Sequence, residues 1–214
     1  MITNAKQWNE VRNGAFNPVL RSSGFKGSGP EMQRVSKEQV HFVRSEFYVE
    51  GVINLGVGIH FKDVAPFRFA AWPGSIGPDK LRFETAFLQR RTTLEASGDP
   101  RSVERAAIRE ANQVLNDLDS AGRICGDGMK LALLFPPSKL QRDLDRIPLD
   151  QSANRVFCDW YPDLGALIAM LLVLAIKSND HDLANEYRVL ATSYRRRYLK
   201  PNQEEFEALI GQLE

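Results

Sequence analysis

Residues 52 to 62 read VINLGVGIHFK, and this stretch decides the fold that the sequence predicts. Large apolar side chains occupy every second position here, separated by polar residues or glycine. A period of two is the pattern of a β-strand, whose successive side chains point to opposite faces of a sheet. We therefore predict a strand that buries its odd-numbered side chains. Its even-numbered residues, from Asn54 to His60, are expected to face water or a ligand.

Three further segments complete the predicted sheet. Gln39 to Val49 (QVHFVRSEFYV) is rich in β-branched and aromatic residues, and Glu50-Gly51 after it is a hairpin signal. Glu31 to Lys37 is a less regular strand candidate, and Leu81 to Arg91 is a fourth. The segment Ala65 to Pro78 is predicted to join the last two strands as a long loop. The expectation is an antiparallel, meandering sheet of about four strands.

A helix is predicted before the sheet. Asn4 with Gln7 three residues later has the spacing of a capping box, and apolar residues then recur at helical intervals as far as Leu20. Gly14 and Pro18 lie inside this stretch, and both weaken an α-helix. We predict a kink there, or two short helices.

The second half of the chain is predicted to be helical. Apolar periodicity indicates helices over 100–122, 160–178, 182–199 and 202–213. The apolar run 164–176 is shorter than the roughly 20 residues that cross a bilayer, so we predict a buried helix with no membrane partner. The fold class that follows is α+β, with an N-terminal helix, a sheet and a helical C-terminal half.

The length of 214 residues predicts a single α+β domain over residues 1–214. Its sheet-bearing part is expected to span 1–122 and its helical part 123–214, with a seam at 126–148. The net charge of +1 gives no electrostatic case for attraction to nucleic acid or to a membrane surface. Nucleic acid is therefore not an expected partner.

Two features lead us to expect a cytoplasmic protein. Met1 to Val11 shows no basic start followed by an apolar stretch, which a signal peptide would have. The two cysteines, Cys125 and Cys158, form no Cys-x-x-Cys pair, and packed, reduced thiols are the expected state.

Several short motifs resemble those of a bacterial family, domain of unknown function 4304. They are Pro18-Val19-Leu20-Arg21, then Gly24-Phe25-Lys26, then the hairpin ending Val52-Ile53-Asn54-Leu55-Gly56-Val57, with an arginine-bearing strand at Phe83 to Arg91. The resemblance covers roughly residues 10 to 120. It implies an α+β fold with a meandering sheet and implies no catalytic residue.

The open face of the sheet is the predicted site. It is expected to carry arginines, carboxylates, an amide and a histidine, which suit an anionic ligand or an acidic segment of a partner protein. The alternative is ordinary cross-strand ion pairing on a solvated face. The candidate binding residues are Arg44, Glu46, Asn54, His60, Arg82, Glu84 and Arg90.

Other chemistry-bearing residues have simpler interpretations. His41 and His60 lack the companion ligands that a metal site needs, and Asp143 with Asp145 fits surface ion pairing. The cluster Arg195 to Arg197 lies at a predicted helix C-terminus, where cations complement the helix dipole. We predict no metal site and no cofactor.

These observations favour a non-enzymatic binding protein of the bacterial cytoplasm, with another protein as partner. The family resemblance extends this expectation to an immunity- or defence-associated role. The alternative is an enzyme that acts on an anionic or nucleotide-like substrate at the open sheet face. In that alternative His60 is the base and Arg82 or Arg90 holds the anion. A homo-oligomer is also compatible with the apolar helices, because an oligomer interface and a core have the same pattern in a sequence.

Overall fold

The structure, a computed structural model, describes residues 1–36, 38–62, 86, 88–126, 132–146 and 164–198. An N-terminal helical segment is followed by a four-stranded sheet and then by helices, so the predicted α+β class is confirmed. The chain forms two compact units. One comprises Met1–Asp63 with Gln89–Gly122, and the other comprises Val64–Leu88 with Arg123–Glu214.

The sheet has the strand order β1 (Glu31–Val35), β2 (Gln39–Val49), β3 (Val52–Phe61) and β4 (Leu88–Glu95). The pairs β1–β2 and β2–β3 are antiparallel, as the hairpin signal predicted. Gly51 in the β2–β3 turn has φ +73°, a left-handed conformation that favours glycine.

The N-terminus is bound into the corner of the sheet. The Ile2 amide donates to the Ala96 carbonyl (3.0 Å), and the Ile2 carbonyl accepts from the Gly51 amide (2.8 Å). The Ala96 amide in turn donates to the Gly51 carbonyl (2.7 Å). These three backbone bonds join the chain start, the hairpin turn and the residue after β4.

The N-terminal helix is in three pieces. They are α1 (Ala5–Val11), a π-helical turn (Arg12–Phe16) and α2 (Asn17–Ser22), and the Asn4 side chain caps α1 as predicted. Within the π turn the Asn17 amide donates to the Arg12 carbonyl five residues earlier. Pro18 falls in the first turn of α2, where its missing N–H costs least. The predicted interruption therefore takes the form of a widened turn.

The two sheet faces differ in what they contain. The odd-numbered side chains of β2 and β3 share one face, here called the α3 face, because α3 (Pro100–Gly126) hydrogen-bonds to it. The predicted burial of the odd-numbered side chains of β3 is confirmed. The even-numbered side chains share the opposite face, here called the even face.

The prediction that the even face of β3 is open is wrong for most of the strand. Asn54 is exposed, but Gly56, Gly58 and His60 are buried. Alternation in a sequence shows which side chains of a strand share a face. It does not show whether another element of the protein covers the second face.

Two element boundaries differ from the predicted ones. β4 ends at Glu95 instead of Arg91, because Leu94 is a further inward-facing apolar residue after polar neighbours. Predicted strand residues 81–85 and 87, and the predicted loop 65–78, lie outside the described residues. Helix α3 continues four residues past Gly122. This glycine does not end the helix; its lack of a side chain allows the helix to lie close to the sheet.

The second unit contains α4 (Pro137–Arg146), α5 (Leu164–Lys177) and α6 (His181–Tyr198). Helix α4 lies inside the stretch predicted as a seam, and it begins with proline at its first position. The Tyr187 hydroxyl of α6 donates to the buried Phe135 carbonyl (3.0 Å). Among the described helices, none combines the length and the apolar character required to span a bilayer.

Candidate functional site

Three of the predicted site residues lie together near the turn of the β2–β3 hairpin. Glu46 is directly opposite Asn54 in the register, and Arg44 lies two residues before Glu46 on the same face. The Arg44 Nη2 donates to Glu46 Oε1 at 2.8 Å. Asn54 is exposed, and Arg44 and Glu46 are partly exposed, so this end of the even face is accessible to a ligand.

Two exposed apolar side chains adjoin these polar residues. Tyr48 is 64% exposed and Val49 is 47% exposed. The pairing of β2 with β3 is irregular between Phe47 and Val49, which is the signature of a β-bulge. We call Arg44, Glu46, Tyr48, Val49 and Asn54 the hairpin surface. The sequence did not single out Tyr48 and Val49, since a bulge breaks the alternation from which faces are predicted.

His60 is on the same face as the hairpin surface but is distant from it. Six residues of β3 separate His60 from Asn54, which is about 20 Å of extended chain. His60 is only 1% exposed. The predicted grouping of His60 with Arg44 and Glu46 is therefore not formed at the surface.

Arg90 is directed toward α3. Its guanidinium forms an ion pair with Asp117 of α3, the helix that bonds to the α3 face. Arg90 is thus separated by the sheet from the hairpin surface. Arg82 and Glu84 lie outside the described residues. Of the seven predicted site residues, the hairpin surface as described contains Arg44, Glu46 and Asn54.

A second group of polar residues, centred on His41, lies on the α3 face between the sheet and α3. The Arg34 Nη2 donates to His41 Nδ1 (2.9 Å) and also pairs with Asp119 of α3. Because arginine has no acceptor atom, Nδ1 must accept, and the His41 proton is on Nε2, where it is donated to Gln39 Oε1 (2.9 Å). The Gln39 Nε2 completes the chain by donating to the Gly122 carbonyl (3.0 Å).

The His41 network is a structural tie between the sheet and α3. Burial, together with the positive charge of Arg34, lowers the pKa of His41 from its ordinary 6.5 to about 4. Both ring nitrogens are engaged and the side chain is buried. Neither nitrogen of His41 is free to bind a metal or a substrate, because Nδ1 accepts from Arg34 and Nε2 donates to Gln39.

A buried arginine in the N-terminal helix was not anticipated from the sequence. Arg12, the first residue of the π turn, is 6% exposed, and its Nη1 donates to the Ser45 carbonyl of β2 at 3.4 Å. Burial lowers the pKa of Arg12, and the charge of Glu46 opposes that shift. The sequence signal was present in the spacing, because Arg12 follows Trp8 by four residues and so shares its buried face.

The remaining candidates are described only in part. Within the described part of the chain, no group of three or more histidine, cysteine or acidic residues is placed to hold a metal ion. Cys125 is a free, buried thiol, and burial raises its pKa to about 12. Asp180 caps α6 by accepting from the Leu183 amide (3.1 Å). Nothing is described for the side chains of Asp143, Asp145 and Arg195 to Arg197.

Comparison with known proteins gives no relative. No family model, no curated protein and no solved structure matches this chain. The resemblance to domain of unknown function 4304 stays a prediction, and the site has to be interpreted from its own geometry.

Proposed function

We propose that this chain is a non-enzymatic binding protein that contacts a partner protein through the hairpin surface. The observation that carries the proposal is the exposure of Tyr48 and Val49 in succession, beside the Arg44–Glu46 pair. Tyrosine and arginine are enriched at the energetically important centres of protein interfaces. An apolar pair bordered by partly exposed charged side chains has the composition of a small interface core with a polar rim.

The geometry of the described residues does not favour the enzymatic alternative. That alternative requires His60 as an accessible base and an arginine close to it. His60 is buried, and Arg90 is paired with Asp117 on the other side of the sheet. Arg82 lies outside the described residues, so the alternative stays a prediction.

Site-specific photo-crosslinking tests the proposal. A benzophenone amino acid is introduced at Tyr48, and the purified protein is irradiated in a lysate of the source organism. The matched control carries the same group at Val189 of α6, which is 65% exposed, as Tyr48 is 64% exposed. We expect one discrete crosslinked protein from position 48 and none from position 189. Equal products from both positions, or none from position 48, would contradict the proposal.

The identity of the crosslinked protein tests the finer part of the proposal. From the family resemblance alone we extend the proposal to a role in immunity or defence, in which the partner is a toxin that this chain neutralises. A toxin in the crosslinked band, whose growth inhibition is relieved by co-expression of this chain, is the expected result. A second copy of the chain in that band would instead show a homo-oligomer.

A further inference from the structure

Arg12 has far fewer hydrogen bonds than a buried guanidinium requires. Among the described residues its only hydrogen bond is the one to the Ser45 carbonyl, and that bond is long at 3.4 Å. The Arg12 Nε is buried and has no hydrogen-bond partner. A guanidinium carries five N–H donors, and buried charges in proteins are normally paired and fully hydrogen-bonded. The buried Nε–H of Arg12 therefore has no acceptor among the described residues.

The acceptor would have to arrive at the edge of β2. The pairing of β2 with β1 ends at Ser45. Glu31, the first residue of β1, is opposite Arg44, and the Ser45 amide then donates to the Pro30 carbonyl (2.8 Å). Beyond Ser45, the described strands pair β2 only with β3. Arg12 thus lies beside a strand edge that continues directly into Tyr48 and Val49 of the hairpin surface.

The local charge selects the kind of acceptor. Glu46 already accepts from Arg44 at 2.8 Å, and its charge acts on Arg12 without a hydrogen bond between the two. One unpaired cation beside a carboxylate suits a monoanion, whereas a phosphate dianion would bring an excess of negative charge. A carboxylate is also planar and matches two parallel N–H donors of an arginine.

We propose that Arg12 is a binding site for a carboxylate, which an aspartate or glutamate of the partner protein brings to the β2 edge. This inference rests on the proposed function and names the chemistry of the partner. A bound carboxylate would offset part of the cost of burying the Arg12 charge, a cost that an apolar side chain at this position would not have.

The first experiment observes Arg12 itself. The ¹⁵N-labelled protein is titrated with sodium acetate, and the Nε–Hε resonance of Arg12 is followed by NMR against sodium chloride at equal ionic strength. We expect a saturable shift with acetate, none with chloride, and the same acetate response in an Arg101→Gln variant, which removes an exposed cation at the start of α3. Equal, non-saturating shifts with both salts would overturn the inference. Tighter binding of inorganic phosphate than of acetate would overturn the carboxylate assignment.

The second experiment separates binding from folding. Arg12→Met removes the charge and keeps an unbranched, flexible side chain, so we expect an unchanged or higher Tm together with a loss of at least about tenfold in crosslinking from position 48. Arg12→Lys keeps the charge without the planar fork and is expected to give an intermediate loss. A lower Tm in Arg12→Met would show that the arginine is structural, which contradicts the inference.

The two proposals fail in different ways. If crosslinking from position 48 is specific but unchanged in Arg12→Met, the carboxylate site is wrong and the binding surface stands. If crosslinking from position 48 is never specific, the binding surface is wrong. In that case a saturable acetate shift at Arg12 would still establish the carboxylate site.

Discussion

The pH dependence of folding should reveal the buried histidine at the centre of the α3 face. His41 has its pKa lowered from 6.5 to about 4, so the unfolded chain takes up the proton first as the pH falls. The stability that neutral His41 provides is therefore fully present above pH 6.5 and is lost as the pH falls toward 4. Linkage gives a loss of about 2 kcal/mol by pH 5 and about 3 kcal/mol by pH 4.

Urea unfolding of the wild type and of His41→Asn at pH 7, 6 and 5 measures this effect. The variant has no titrating group at position 41, so we expect the stability difference between the two proteins to shrink by about 2 kcal/mol from pH 7 to pH 5. His181→Asn, which removes an exposed histidine, is the control and should follow the wild type at every pH. A wild-type advantage that is the same at pH 7 and pH 5 would refute the argument that burial and Arg34 keep His41 neutral.

Four further substitutions or reagents test the packing. Gly14→Ala should stabilise the protein by about 0.5–1 kcal/mol in urea unfolding, because no atom lies within 4 Å of the new Cβ. Gly122→Ala should give no such gain, because its Cβ would lie 3.1–3.2 Å from the Gln39 and His41 side chains. Tyr187→Phe should cost about 1–2 kcal/mol in the same assay, because it removes the hydrogen bond that the Tyr187 hydroxyl donates to the buried Phe135 carbonyl. In a Cys158→Ser background, Cys125 should react with a thiol reagent at pH 8 only after unfolding; rapid reaction of the native protein would contradict its burial.

The sequence predicted the framework of the sheet because local patterns specify it. Strand β2 has the predicted bounds, β3 ends one residue before the predicted Lys62, and the glycine of Glu50-Gly51 forms the turn between them. Alternation and turn chemistry act within a few residues of each other, and no distant contact is needed to produce them.

The site was only partly predictable, because it depends on contacts that are distant in sequence. Arg44, Glu46 and Asn54 were found because they share a face of one hairpin, which the register determines. The burial of His60 and the pairing of Arg90 with Asp117 depend on which elements pack against each face. A charged residue in an amphipathic pattern looks the same whether its partner is water or a carboxylate of a distant helix.

Arg12 shows a third limit of sequence interpretation. Its long side chain and charge normally indicate a surface position in a helix. The π turn that begins at Arg12 changes the direction of the residues after it, and the sequence showed this only as a helix weakened by Gly14 and Pro18.

The π turn also divides the N-terminal helix into two segments of different rotational phase. A π turn holds one residue more than an α turn, and each residue of an α-helix rotates the chain by about 100°. The segment before the π turn therefore sets the directions of the Trp8 and Arg12 side chains, and the segment after it sets those of Phe16 and Leu20. Deletion of a single residue from this turn would restore an unbroken α-helix, yet it would swing one of the two pairs away from the interior. An insertion or deletion in this turn should therefore destabilise the protein more than a substitution at the exposed Asn13 or Gly14.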